Sequence, residues 1–360
     1  MKYAARPSHI LHFGGAVLLS STLTGYASTE ASSEWNKNNE AITANGNLVL
    51  ERALAFAGAL SETQRENLFQ AYSFSNASRW HTYPQADMYS GHRIGLPLET
   101  LSSEQWRRLE ALLAAASGSS PNEGSDEIRQ HLNAEDYLRQ IGKGDAYGRG
   151  EFYVAFLGRP SPGNLWQLQF GGHHFALSNT YRDGILIGAT PSFRGMEPAG
   201  PFDYNGVTNA PQLQEMGAFR ELLASFDELQ LSAAKLSSQF RDVVMGPGRD
   251  WSFPTQAAGI PAASLDDRQR TLLLAVIATY VGDVDDANAA AYMAKYEREL
   301  ATTRVGYSGT TSLSRAGDYV RIDGPSVWIE LSLNHGYNFS DPHPHSVWRD
   351  KVTDYGGLRP

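Results

Sequence analysis

Two histidines flank one proline in the segment Asp341-Pro-His343-Pro-His345-Ser-Val-Trp-Arg349-Asp350. On an extended backbone, residues i and i+2 project from one face, so His343 and His345 offer two imidazoles to one metal ion or one substrate. A second cluster, Gly171-Gly-His173-His174, lies far upstream. His173 and His174 cannot both face the same way on a strand. One of them would therefore join His343 and His345. Three imidazoles suit zinc, with copper or iron as alternatives, and leave a position open for water or substrate. Glu197, in Arg194-Gly-Met-Glu197-Pro198, has the chemistry of a carboxylate ligand or a general base. Arg349 suits an anionic substrate group, and Asp350 suits the orienting of a ligand histidine. Plainer readings stand beside these: histidines bonded to backbone carbonyls, and a structural Arg349–Asp350 ion pair. Tyr355 reads more readily as a core residue than as a proton donor. Spacing gives no support to His81 or His92.

The chain has no cysteine, which excludes disulfides, thiolate ligands and a cysteine nucleophile. No Gly-x-Ser-x-Gly elbow follows a clear strand, and His-Glu-x-x-His is absent. The Gly142–Gly150 segment lacks the Lys-Ser/Thr ending of a phosphate loop. A net charge of -9 without a basic run argues against nucleic acid.

The elements that must position these residues alternate in kind. Ser61-Glu-Thr-Gln64 and Ser102-Ser-Glu-Gln105 are capping-box starts of amphipathic helices. Residues 126–141, 217–238, 265–281 and 285–300 also carry helical spacing. Residues 61, 102, 227 and 265 open helices with a similar acid-and-Gln flavour. That fits a duplication, although repeated capping chemistry explains it and is preferred. From Glu151 the pattern turns to short strands and turns, with residues 191–211 irregular. Residues 318–323 and 327–333 flank Gly324-Pro325 as a hairpin, and residues 346–349 add a short strand. Helices, strands, helices, strands, without βαβ alternation, imply α+β: helices packed on a mainly antiparallel sheet in a single large domain over residues 47–360.

The N-terminus reads as a secretory signal over residues 1–28. Lys2 and Arg6 precede the apolar stretch Ile10–Leu23, and small residues follow. Residues 29–46 read as a flexible leader. The expected location is periplasmic or secreted, with no membrane span after cleavage.

Taken in order, the segments 153–160, Gly171-Gly-His-His174, Thr190-Pro-Ser-Phe-Arg-Gly-Met-Glu-Pro198, Gly324-Pro325 with Ile329-Glu330, His343–Asp350 and Asp354-Tyr355-Gly356 resemble a bacterial family known as domain of unknown function 3500. Trp80, Arg93-Ile-Gly95 and Ser103-Glu-Gln105 fit its N-terminal part. The resemblance implies one continuous domain outside the cytoplasm and carries no established activity. Tyr26 stands where a lipidated cysteine would, so lipid tethering is not implied.

These readings converge on an extracytoplasmic metal-dependent enzyme, hydrolytic rather than redox. His173 or His174 with His343 and His345 would hold the metal, and Glu197, Arg349 and Asp350 would serve a small-molecule substrate, for which Arg349 admits an anionic group. The alternative is a non-catalytic protein of the envelope that binds a small ligand or a metal.

Overall fold

The strand patterning after Glu151 resolves into one large sheet in a computed structural model, which describes residues 21–85 and 93–360, with side chains from residue 37. Most of the expected signal, and His92, lie outside the described residues. The strands are β1 (Phe69–Gln70), β2 (Leu96–Pro97), β3 (Tyr153–Leu157), β4 (Leu165–Gly172), β5 (Phe175–Arg182), β6 (Ile185–Gly188), β7 (Ser192–Gly195), β8 (Phe202–Tyr204), β9 (Val207–Asn209), β10 (Ile260–Pro261), β11 (Arg304–Ser308), β12 (Tyr319–Asp323), β13 (Val327–Asn334) and β14 (His343–Asp350). Their order is β1-β3-β4-β5-β7-β14-β13-β12-β11-β10, with β2 beside β3, β6 beside β5, and β8–β9 a separate hairpin. Only β1–β3 runs parallel among the described strand pairs of this sheet. The α+β class with a mainly antiparallel sheet is thus as the sequence implies, and residues 41–360 make one compact unit.

The helices are α1 (Ser21–Gly58), α2 (Glu62–Leu68), α3 (Phe74–Ala77), α4 (Ser103–Ala115), α5 (Gly124–Gln140), α6 (Leu213–Ala224), α7 (Glu228–Ala234), α8 (Asp267–Val281) and α9 (Asp286–Glu299). No described helix is long and apolar enough to cross a membrane. Leu112, Ile128, Val276 and Tyr280 from this layer share a core with Phe156, Trp166, Ile329 and Trp348 of the sheet. The opposite sheet face buries Trp80, Phe193, Trp328, Val347 and Tyr355. Both faces of β14 are therefore covered, and all its residues are buried. The pleat sends Trp348 to the helices and Val347 to the other face. His343, His345 and Arg349 lie on the Val347 face.

Three expectations change. The helix expected over 217–238 is two helices, because Asp227 breaks off and caps α7, accepting from the Gln230 backbone N–H. The stretch expected as irregular, 191–211, contains β7, which lies between β5 and β14 in the sheet. Its four residues, Ser-Phe-Arg-Gly, are too few to show alternation. Residues 37–46, part of the expected leader, are helical, and the Asn45 side chain donates to Ala115 O at 2.9 Å.

The similar helix starts also prove to be paired in space. Gln64 and Gln105 exchange side-chain hydrogen bonds at 3.2 and 2.9 Å, and Gln105 also donates to Ala59 O. Gln230 and Gln269 do the same at 2.8 Å each, and Gln269 donates to Ser225 O. Gly95 and Gly259, at φ 109° and 104°, press their backbones against Val154 O and Val305 O respectively. The chain thus builds one arrangement twice, and β7 and β14 form the seam between the halves.

Candidate metal centre

His343 and His345 begin β14, and the pleat aims both rings at the same side. β14 runs antiparallel to β7, with His345 opposite Gly195. The Gly172–Phe175 pair closes the β4–β5 hairpin around His173 and His174. This tight turn places His174 at φ 109°, a conformation that glycine adopts freely and other residues rarely do. The Gly195 backbone N–H donates to His174 O at 2.5 Å, which ties the hairpin to β7.

The three rings converge. His345 Nε2 lies 3.2 Å from His343 Nε2 and 3.3 Å from His174 Nε2. One nitrogen from each of His174, His343 and His345 falls within 4.8 Å of the others, and all three residues are buried. Gly195 makes this possible: a Cβ there would sit 3.0 Å from ring atoms of both His174 and His345. That gives a physical reason for glycine within Phe193-Arg-Gly195-Met-Glu197.

At His345 the group behind the ring fits nitrogen donation through Nε2. His345 Nδ1 meets Asp242 Oδ1 at 3.0 Å, so its proton has a carboxylate partner. His343 Nδ1 lies 3.6 Å from Glu197 Oε1, beyond hydrogen-bond reach. His174 Nδ1 is buried without a partner among the described residues. Burial depresses the His174 pKa well below 6.5, helped by His173, His345 and His343. Burial and then His345 bring His343 to about 4, against the opposing pull of Glu197. Both rings are therefore neutral at pH 7, the form that binds metal. Burial alone would raise Asp242, but His345 and the hydrogen bonds from His345, Val243 N and Asn334 outweigh it and hold the carboxyl low.

His173 does not belong to the cluster. Its Nδ1 turns to Glu135 Oε1 at 2.8 Å, while its ring stacks on His174 with centroids 3.7 Å apart. His174 is thus the third imidazole. Glu197 is not in the cluster either. Its oxygens accept from Tyr337 N at 2.7 Å, from Asn338 N, and from Asn338 Nδ2 at 2.8 Å, so it holds the 335–341 loop behind His343. Arg349 and Asp350 are not brought to the histidines. Arg349 shares their face but is fixed by Asp354, Asp250 and Met245 O. Asp350, on the opposite face, accepts from Lys295, Tyr296 and the Val352 and Thr353 N–H groups. Tyr355 is fully buried, as its core reading implies.

Asp242 and Glu135 escaped the sequence reading. Asp242 sits in an irregular segment, and its position depends on Glu330, whose carboxylate accepts from the Val244 and Met245 N–H groups. Glu135 carried a signal. Glu127, His131 and Glu135 recur every four residues on α5, and all three are at most 4% exposed. Such a titratable stripe on a buried helix face marks a polar site inside the fold.

A cavity of about 430 Å³ opens beside the cluster, lined by the four histidines with Tyr83, Asp242, Asn334, His335 and Tyr337 among others. The arrangement presents three imidazole nitrogens to one point and leaves the cavity side open. Among known proteins, the family model described as "Protein of unknown function (DUF3500)" matches residues 43–357. No curated protein and no solved structure matches the chain. The chain belongs to the DUF3500 family.

Proposed function

We propose that the protein is an extracytoplasmic metal-dependent enzyme in which His174, His343 and His345 hold a divalent transition metal, zinc before copper or iron. The convergence of their Nε2 atoms beside an open cavity carries this reading. Three imidazoles with a free position supply a Lewis acid able to polarise a carbonyl or phosphoryl oxygen, which favours hydrolysis over redox chemistry. Asp242 orients His345. Glu135 orients His173, whose Nε2 has no partner among the described residues and which lines the same cavity. The location rests on Lys2, Arg6 and the apolar stretch Ile10–Leu23.

One observation favours the second reading, a non-catalytic binding protein. Glu197, the carboxylate expected as base, has its oxygens committed to the 335–341 loop. Untagged protein should carry stoichiometric metal. Zinc at a hundredfold excess over Kd should stabilise the fold by about 2.7 kcal/mol. His343→Ala and His345→Ala should lose both effects, and His81→Ala should keep them. Elemental analysis below about a tenth of an equivalent, with unchanged melting on adding zinc or copper, would overturn the metal reading. Metal without turnover on ester, amide and phosphate substrates would leave the binding protein.

A further inference from the structure

The cavity beside the histidines has a charge and a surface of its own. Among the described residues, Asp242 is the only lining residue with a formal charge, and no Lys or Arg lines the cavity. Arg349, the anion anchor expected from sequence, is locked elsewhere. Arg249 lines an adjoining cavity of about 190 Å³ with His81 and Thr82. Apart from a metal on the histidines, an anionic group therefore finds no cationic side chain among the described lining residues.

The rim is aromatic. Tyr337 is 78% exposed and Tyr83 is 53% exposed. An exposed tyrosine is ordinary on a loose loop, but the Tyr337 loop is held. Glu197, itself 2% exposed, accepts from the backbone N–H groups of Tyr337 and Asn338. Tyr147 OH lies 3.1 Å from Asn338 Nδ2, and Lys143 Nζ donates to Asn338 O at 2.6 Å. A buried carboxylate thus fixes a segment whose ring stays in solvent, the preorganisation expected of a ligand contact. Beyond the histidines and the tyrosine hydroxyls, polar partners for a ligand are few. Asn334 Nδ2 already donates to Asp242 Oδ1 at 3.2 Å, and Asp242 already pairs with His345. A saccharide, which needs a hydrogen-bond partner for most of its hydroxyls, fits this lining less well than a flat ring.

We propose that Tyr337 and Tyr83 form the binding surface for an uncharged aromatic ligand of the phenol type, whose ring packs on them and whose oxygen faces the His174–His343–His345 cluster. Only the role of that oxygen rests on the metal reading. The ring contact does not depend on it.

Isothermal titration of zinc-loaded and metal-free protein with phenol, benzoate, cyclohexanol and methyl glucoside tests this. Phenol should bind most tightly. Tyr337→Ala should weaken it about three- to tenfold, the worth of an aromatic contact, with zinc content unchanged. Tyr337→Phe should retain the affinity, and Tyr83→Ala should reproduce a smaller loss. Phenol binding that depends on Tyr337 in a protein that takes up no zinc would support the aromatic surface and dismiss the metal. Tighter binding of benzoate or methyl glucoside, no phenol binding, or a Tyr337→Ala protein with unchanged phenol affinity would overturn the inference.

Discussion

The β7–β14 seam ends differently on its two sides. At one end Gly195 faces His345, and at the other Thr190, Arg349, Asp350 and Lys351 gather. The charged groups of the second end are paired, although Asp323 Oδ2, Thr353 Oγ1 and Asp354 Oδ1 are buried without hydrogen bonds among the described residues. Asp350 Oδ2 accepts from Lys295 Nζ at 2.7 Å and from Tyr296 OH at 2.9 Å, and Oδ1 accepts from two backbone N–H groups. Arg349 has Nε, Nη1 and Nη2 all engaged, and Lys351 meets Asp323 and Gly324 O. The histidine end is incomplete. Its Nε2 atoms face one another, and His174 and His343 keep Nδ1 atoms without hydrogen bonds among the described residues. Buried polar groups are normally satisfied, because leaving one unmade costs on the order of 1–3 kcal/mol. A seam that pairs its charged groups at one end and turns three convergent imidazoles toward a cavity at the other has separated a fold lock from a ligand site.

The sharpest way to break this comparison is at the lock. Arg349→Ala leaves Asp354, fully buried, and Asp250 without their guanidinium. Removing one partner of a buried pair costs about 3–5 kcal/mol. Urea denaturation should show a loss of that size, while the folded fraction keeps its metal. A stable Arg349→Ala protein that no longer binds metal would move Arg349 to the histidine end.

Much of this division was legible beforehand, and its gaps have physical causes. His343-x-His345 and the Gly-His-His turn are local, and period-two geometry was enough to aim the pair. Which histidine of the upstream pair joins them depends on a positive φ at His174, which only the folded hairpin reveals. Arg349 and His345 do share a face, as spacing implied, but a strand rises about 3.3 Å per residue, so four residues separate a site from its neighbour. Asp242 could not be read at all. It reaches His345 because Glu330, on β13, holds the Val244–Met245 backbone, and no local pattern encodes that contact. The similar helix starts were visible, but the exchanged Gln pairs that relate the two halves join residues 41 and 39 apart in the chain, which no local pattern encodes.

Acid should distinguish the histidine end more gently. His131, on α5, packs its ring 5.1 Å from Phe175, and burial depresses its pKa to about 4. Between pH 6.5 and about 4 the unfolded chain binds a proton that folded His131 does not. Its contribution is whole above pH 6.5, is lost as pH falls to about 4, and amounts to roughly 3 kcal/mol. Burial raises the Glu215 and Asp283 carboxyls, which titrate in the opposite sense but do so in any variant that keeps them. The measurement is therefore a difference. Metal-free His131→Gln, able to keep the bond to Glu127 O, should lose less stability than the parent over that pH range. Parallel pH profiles would show that His131 is not held neutral.

The smallest effect concerns the turn. His174 carries φ 109°, where a residue with a Cβ is strained and glycine is not. His174→Ala and His174→Gly both remove the imidazole, so both should abolish metal uptake. Their stabilities should differ in an unusual direction. Glycine is normally the less stable replacement, because it adds freedom to the unfolded chain. At this position relief of the left-handed backbone should make His174→Gly more stable than His174→Ala by about 1 kcal/mol. Thermal melts of the two metal-free variants decide it. Alanine above glycine would mean that the hairpin relaxes without its imidazole, and that the backbone strain is imposed by the ring's place in the cluster. Glycine above alanine would mean that the turn itself demands the conformation, and that histidine is kept there against it for the nitrogen it delivers.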